Sequence, residues 1–286
     1  MKLIDQIASP GSHLGGGLKS GTGDDRYVFD EGAGWACVID GATDVGPVRV
    51  FRAGESDAAR FAEMFAARMI AHPARPDETP MAYFARFAQL LSAAVSAEAI
   101  MPLADAPRSS WPTAAAAWVR VRNTQLEAAM LGDCLVLVRT PEGAVRLLGR
   151  GDKPADEQAR AREVMRRTPE ERLKWLQAGR ATHNTEGAYW IFGVQPEAAA
   201  HILIQTAPCP PGAHVLLVTD GFYRLVSPYG RYDDDGLFEA VLDKGLGVVL
   251  AELRGLEADP GDDQAVGRIK TSDDATALLF EIGSEA

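Results

Sequence analysis

The chain has few of the residues on which several common kinds of site depend. It contains three cysteines, Cys37, Cys134 and Cys209, and no two of them stand in a Cys-x-x-Cys spacing. A disulfide framework needs paired cysteines and a thiolate zinc site needs closely spaced ones, so neither is predicted. The five histidines show no His-Glu-x-x-His spacing, although His183 lies where it could approach a cleft from an insertion. Gly-x-Ser-x-Gly and Ser-x-x-Lys are also missing, which gives covalent serine catalysis no support.

Long apolar runs and excess positive charge are missing as well. No stretch approaches the roughly 18 apolar residues of a membrane span, and Asp5 and Gln6 lie where a signal peptide has its apolar segment. We therefore expect a cytoplasmic protein with no membrane partner. The 29 Lys and Arg residues against 40 Asp and Glu give a net charge of −11. This balance argues against nucleic-acid binding, which requires a basic face, and fits a protein whose acidic residues hold cations.

The apolar patterns predict strands in runs, with helices in blocks between them. Apolar residues make up 47% of the 286 positions, as in globular proteins. Short apolar runs predict strands at 27–30, 35–40, 114–121, 125–131, 135–139, 144–148, 201–205, 214–219 and 275–282; the four runs between 114 and 148 predict one antiparallel meander. Helical spacing predicts a helix pair within 55–100 and helices within 150–180 and over 236–243 and 247–255. This order predicts a layered α+β fold, with two antiparallel sheets and helices outside.

Carboxylates occur repeatedly at the ends of these predicted strands. They are Asp24 and Asp25 before the first hairpin, Asp40 before Gly41, Asp133 between two strands, Asp220 before Gly221, and Asp273 and Asp274 before the last strand. A carboxylate at the mouth of an apolar strand is costly to desolvate unless a cation compensates it. Mg²⁺ and Mn²⁺ prefer such oxygen ligands. The alternative for any one of these pairs is that Asp-Gly is a common turn dipeptide.

Five short motifs in this order resemble a known family. They are Gly23-Asp24-Asp25-Arg26, Val38-Ile39-Asp40-Gly41-Ala42, Leu131-Gly132-Asp133-Cys134, Val218-Thr219-Asp220-Gly221-Phe222 and Ser272-Asp273-Asp274-Ala275-Thr276. Together they resemble the metal-dependent protein phosphatases of the phosphatase 2C type, over residues 20–282. The resemblance implies an α-β-β-α sandwich, with 1–286 forming one catalytic domain that carries a helical flap insertion at about 150–190.

The resemblance also implies a site with two divalent cations, Mn²⁺ or Mg²⁺, and a possible third. By the family pattern Asp40 would bridge both ions. Asp220 and Asp273 would complete the coordination of one ion, and the Gly41 carbonyl would complete that of the other. Asp25 and Asp24 would act through water, and Asp133 would serve the third ion. The implied activity is hydrolysis of phosphoserine or phosphothreonine on proteins by a metal-activated water, with no covalent intermediate.

Two departures from the family pattern leave other functions open. Many relatives have a histidine after Asp-Gly as a proton donor, but here the residue is Ala42. Relatives also place an arginine before the paired acids to hold the substrate phosphate. Here Lys19 is the nearest cation, and the alternative for it is a solvated surface lysine. The alternative functions are a catalytically silent binding or regulatory module and a phosphatase for small metabolites.

The predicted flap carries positive charge in an acidic protein. Residues 150–180 contain nine Lys and Arg against six Asp and Glu. We expect this segment to steer a phosphorylated protein substrate toward the metals, in a protein that acts as a monomer. The alternative is a solvated, salt-bridged helix pair. A further acidic run, Asp233-Asp234-Asp235, is predicted to cap the next helix rather than to bind a cation.

Overall fold

Two five-stranded antiparallel sheets form the centre of the molecule. The structure is a computed structural model that describes residues 1–14, 16–149, 163–164, 166–258 and 270–283. The strands are β1 (Lys2–Ser9), β2 (Arg26–Asp30), β3 (Trp35–Gly41), β4 (Ala114–Arg122), β5 (Gln125–Leu131), β6 (Leu135–Arg139), β7 (Val145–Leu148), β8 (Leu203–Pro208), β9 (His214–Val218) and β10 (Ala275–Glu281). The first sheet has the order β1-β10-β9-β6-β7 and the second has the order β2-β3-β4-β5-β8.

Helices cover the outer face of each sheet. They are α1 (Asp57–Ala71), α2 (Pro80–Glu98), α3 (Pro169–Thr182), α4 (Asp220–Tyr223), α5 (Asp234–Lys244) and α6 (Leu246–Glu257). Local sequence explains where several of them begin. Thr79 accepts a hydrogen bond from Ala82 N ahead of Pro80, and Asp233 accepts one from Gly236 N, so the predicted capping role of Asp233 is confirmed. Thr168 and Glu171 form a full capping box at the start of α3.

Side chains point alternately to the two faces of each strand, and together with the helices they form three apolar layers. In β3, Val38 faces the other sheet and packs in one cluster with Val136 of β6 and Leu217 of β9. Its neighbours in the strand, Cys37 and Ile39, point the opposite way, into a cluster formed with α1 and α2. A third cluster joins the outer face of the first sheet to α5 and α6. The predicted α-β-β-α sandwich is confirmed, because period-two side chains give each sheet two buried faces.

The predicted meander over 114–148 is wrong, although its two hairpins are present. β4 pairs with β5 and β6 pairs with β7, but β5 and β6 belong to different sheets. The chain passes between the sheets at Gly132–Cys134, so β5 pairs next with β8 and β6 with β9. Short apolar runs do not reveal which of two facing sheets a strand enters, because both sheets bury the same kinds of side chain.

The remaining differences concern edges and the insertion. β1 has no counterpart in the prediction, because this edge strand has only intermediate and exposed residues. The strand predicted at 201–205 begins at Leu203, after a 3-10 turn at Pro196–His201. Of the predicted insertion, residues 150–162 and 165 lie outside the described residues, and the described part contains the helix α3. The described chain contains no helix that is long and apolar enough to cross a membrane. The assignment of 1–286 to one domain stays a prediction.

Candidate active site

The strand ends that carry the predicted aspartates meet at one end of the sandwich. β9 runs antiparallel to both β10 and β6, with Val218 opposite Ala277 in one and Leu135 in the other. The end of β9 therefore lies beside the starts of β10 and β6, which Asp273 and Asp133 precede. On the facing sheet, Asp40 at the end of β3 pairs with Ala115 at the start of β4. The fold thus gathers residues that lie far apart in sequence.

These carboxylates lie close enough to one another to repel. Desolvation raises the pKa of Asp40 well above its usual range, and nearby carboxylates raise it further; they are Asp25, Asp220, Asp133 and Asp273. Desolvation also raises the pKa of Asp25, and the negative charge of Asp274 raises it further. Negative charge is therefore concentrated at this end of the sandwich.

Asp25 supplies a direct test of whether the site fits a cation. Its side chain is fully buried, and Oδ2 accepts a hydrogen bond from Thr219 Oγ1 at 2.9 Å. Oδ1 is buried without any hydrogen-bond partner, which is costly for a carboxylate. Among the described residues, no three His, Cys, Asp or Glu side chains already close around one point where a metal ion would fit. The donor chemistry therefore fits a hard divalent cation, and the side chains would have to close around it.

Asp273 lies between two cations of the chain. Lys270 Nζ is 2.5 Å from Asp273 Oδ1, and Arg224 Nη1 is 3.5 Å from Oδ2. Burial alone would raise the pKa of Asp273, but Lys270 and then Arg224 hold it well below its usual range. Lys270 Nζ also donates a hydrogen bond to Thr43 Oγ1 at 3.0 Å.

Lys19 occupies a buried position between two carboxylates. Its Nζ lies 2.5 Å from Asp24 Oδ2 and 2.5 Å from Asp274 Oδ2. The residue is 6% exposed, so the alternative of a solvated surface lysine is wrong. Asp24 also accepts a hydrogen bond from Ser56 Oγ, and Asp274 accepts one from Gly11 N at 2.7 Å. Lys19 thus neutralises two carboxylates behind the site and does not present its ammonium to solvent.

Close packing, and not only turn formation, explains the glycine in each of the two Asp-Gly pairs. A Cβ atom at Gly221 would lie 1.8 Å from the carbonyl oxygen of Asp274, and one at Gly41 would lie 2.5 Å from that of Asp24. Both distances are below any real Cβ contact, so these two positions require glycine. The proposed metal-binding role of the Gly41 carbonyl stays a prediction, as do the individual ligand roles of the aspartates.

Two residues around the site, Arg180 and Tyr189, were not predicted from the sequence, whereas His183 was expected to approach the cleft from the insertion. Arg180 of α3 reaches the loop after β3 and donates a hydrogen bond to the Thr43 carbonyl at 3.1 Å. A Cβ atom at Gly132 would lie 3.2 Å from the Tyr189 hydroxyl, so this hydroxyl lies beside Asp133, and desolvation together with Asp133 and Asp220 raises the pKa of Tyr189. The ring of His183 lies 5.3 Å from that of Tyr189, and burial followed by Arg180 lowers its pKa to about 4. None of these residues stands in a motif that marks it in the sequence.

Comparisons with known proteins give the family and the fold. The family model described as protein phosphatase 2C matches residues 18–246. The serine/threonine phosphatase PstP/Ppp of Mycobacterium tuberculosis is 14% identical to this chain, with a TM-score of 0.59 and coverage of 99% of this chain and 100% of that chain. A structure of the PstP catalytic domain in complex with two manganese ions has a TM-score of 0.55 at 14% identity, covering 99% and 100%. The S. agalactiae serine/threonine phosphatase has a TM-score of 0.54 at 14% identity, covering 97% and 98%. No curated protein matches the sequence significantly.

Proposed function

The chain belongs to the protein phosphatase 2C family, and on that premise we propose that it hydrolyses phosphoserine and phosphothreonine on proteins with the help of two divalent cations, Mn²⁺ or Mg²⁺. The observation that carries the proposal is the cluster of buried and partly buried, mutually repelling carboxylates around Asp25, whose Oδ1 atom has no partner. A site of this kind is stable in its ionised form only when positive charge enters it. The manganese-bound PstP structure, which has the same fold, supports this choice of cation.

Each carboxylate of the cluster has a distinct part in this proposal. The residues that would hold the cations are Asp40, Gly41 through its carbonyl, Asp220 and Asp273, with Asp25 and Asp24 acting through water and Asp133 serving a third ion. When bound, the cations would lower the pKa of a water that attacks phosphorus and would neutralise charge on the phosphoryl group. Thr219 fixes one oxygen of Asp25, and the other has no hydrogen-bond partner.

The leaving group needs a proton that the chain does not supply at the family position. The methyl side chain of Ala42 cannot donate one. We propose that water delivers this proton. General-acid assistance is worth about 10² to 10⁴ in rate, so its loss would be felt least by substrates with good leaving groups, such as aryl phosphates.

A basic flap would bring a phosphorylated protein to the site. Described cations of this segment include Arg166, Arg167 and the exposed Lys174, which lies 2.8 Å from Glu170. Arg180 connects α3 to the loop after β3, so the flap helix adjoins the cleft. An anionic substrate approaching the cleft would therefore pass positive charge before it meets the cations.

Turnover measurements test the proposed function directly. Metal-stripped protein is assayed on p-nitrophenyl phosphate and a phosphothreonine peptide, with and without millimolar Mn²⁺ or Mg²⁺. We expect turnover that depends on the metal, is lost in Asp40→Asn and Asp220→Asn, and is kept in Asp235→Asn, which changes an exposed acid on α5. Absence of turnover in folded protein with either metal would favour the silent binding module. Preference for small esters over the peptide would favour a metabolite phosphatase.

A further inference from the structure

We propose that Lys270, and not Lys19, binds the phosphoryl group of the substrate at the mouth of the cleft. This inference rests on the proposed function, because it assigns the phosphate subsite of that same active site. The ligand it would take is a tetrahedral oxyanion, either as a phosphate monoester or as the inorganic phosphate released from one.

Lys19 is held by two carboxylates and is poorly placed for such a ligand. Its ammonium lies between Asp24 and Asp274 at 2.5 Å from each, and the residue is 6% exposed. A phosphate approaching it would meet those two carboxylates and would have to displace one of them. Removing one partner of a buried ion pair leaves an uncompensated charge, which is strongly unfavourable.

Lys270, whose side chain is 11% exposed against 4% for that of Lys19, connects the two sheets beside the carboxylate cluster. Its Nζ contacts Asp273, which precedes β10 of the first sheet, and Thr43, which follows β3 of the second sheet. The hydroxyl of Thr43 is a neutral partner, so this contact does not cancel the charge of the ammonium. A group arriving between the two sheets would therefore meet this cation beside the carboxylate cluster.

The electrostatics of Asp273 explain how Lys270 can serve an anion. Arg224 faces the second oxygen of Asp273 at 3.5 Å and also lies 4.0 Å from Glu257. A divalent cation held by Asp273 would supply the positive charge that Lys270 supplies to this carboxylate. The ammonium could then turn to the phosphate oxygens while it stays hydrogen-bonded to Thr43. A lysine suits this task as a point charge with three donors.

The other nearby cation is placed less well for this role. The guanidinium of Arg180 donates to the carbonyls of Thr43, at 3.1 Å, and of Ala42, at 3.5 Å. These bonds tie its donors to the backbone of the loop. Arg180 therefore holds the loop that carries Thr43, the neutral partner of Lys270.

Phosphate binding tests the proposal without relying on turnover. Inorganic phosphate is titrated into Mg²⁺-loaded protein and followed by ³¹P NMR, and Mg²⁺ binding to each variant is measured separately by calorimetry. We expect Lys270→Met to weaken phosphate binding about tenfold and Lys270→Arg to restore most of it. Lys244→Met serves as a charge-matched control, because Lys244 lies beside Glu252 and Tyr232, away from the site, and it should bind phosphate like the wild type.

Several results would overturn the assignment. One is wild-type phosphate affinity in Lys270→Met, and another is absence of phosphate binding by the loaded wild type. A third is a loss that disappears once Mg²⁺ is raised to give equal occupancy, because Lys270 would then act only through the metal. Failure of the proposed function has a different signature, namely absence of metal-dependent turnover by the wild type, so the two failures are distinguishable.

Discussion

Thr219 donates its hydroxyl to Asp25 across the cleft, with Thr219 Oγ1 lying 2.9 Å from Asp25 Oδ2. The same hydroxyl accepts a hydrogen bond from Thr276 N at 3.0 Å. One fully buried side chain thus joins the end of β9, the start of β10 and the segment before β2. The single O–H of Thr219 is thereby committed to Asp25 Oδ2, so Thr219 holds this carboxylate in one orientation.

Replacing Thr219 by valine keeps the shape of the side chain and removes both hydrogen bonds. We expect Thr219→Val to lower the free energy of unfolding by about 1 to 3 kcal/mol, because buried polar groups lose their partners, and to weaken Mn²⁺ binding. Urea denaturation and calorimetric metal titration measure the two effects. Thr206→Val, at an exposed position of β8, is the matched control. Unchanged metal affinity in Thr219→Val would mean that this hydroxyl does not orient Asp25.

Metal binding should depend on pH through the repelling carboxylates. The pKa values of Asp25 and Asp40 are raised above their usual range in the cation-free protein, so the folded state favours their protonated forms. Their contribution to stability is therefore present at low pH and is lost as pH rises toward the raised pKa values. A divalent cation reverses this loss, so its stabilising effect should grow with pH.

The measurement is the shift in melting temperature on adding Mg²⁺ between about pH 5.5 and about pH 7.5. Calorimetry in buffers of different ionisation enthalpy should also detect proton release on binding. In Asp40→Asn both the release and the pH dependence should decrease. A metal effect that is independent of pH, with no proton released, would contradict the proposed ionisation of these groups.

A side chain at Gly221 should disrupt the site through the backbone. In Gly221→Ala the new methyl group would overlap the Asp274 carbonyl, 1.8 Å away, and we expect a loss of stability of about 1 to 3 kcal/mol. Gly255→Ala is the control, because a Cβ there meets no atom within 4 Å and the residue lies in α6. That change should stabilise the protein by about 0.5 to 1 kcal/mol. Equal and small effects from both substitutions would show that the strand end yields to the methyl group.

The basic flap predicts a difference between large and small substrates. Neutralising Arg166 and Arg167 to glutamine should raise KM for a phosphoprotein at least about threefold at low salt and leave KM for p-nitrophenyl phosphate unchanged. The effect should shrink as salt is added. The double change Arg122→Gln with Arg146→Gln removes two exposed charges elsewhere and should alter neither substrate. Equal effects of the flap change on both substrates would contradict steering.

The position of the carboxylate cluster could be predicted because its signals are local. Asp40 and Asp220 each follow an apolar run and precede glycine, so the sequence marks both the strand and its end. Those two ends belong to different sheets and approach each other because the sheets pack face to face. Asp133 was also placed correctly between two strands, although the crossing from one sheet to the other at this point was not predicted.

Local sequence patterns do not predict how the cations lie around the carboxylate cluster. Lys270 and Thr43 are far apart in sequence, and neither belongs to a run that marks a strand or helix. Lys19 was recognised as the nearest cation to the paired acids, but only the packed structure reveals that Asp274 closes over it. Contacts of this kind depend on how two sheets face each other, and the apolar pattern of either sheet alone does not contain that information.

The placement of β10 determines when the carboxylate cluster can first assemble during synthesis of the chain. Although β10 is the last strand along the chain, it lies inside the first sheet, between β1 and β9. Asp273 and Asp274 immediately precede it, while Asp25 and Asp40 are made more than two hundred residues earlier. A ribosome-bound chain that has not yet released this segment lacks both the pairing partner of β1 and two aspartates of the site, Asp273 and Asp274. The site should therefore assemble only after β10 has been synthesised, because the contacts that build it join residues far apart in the sequence.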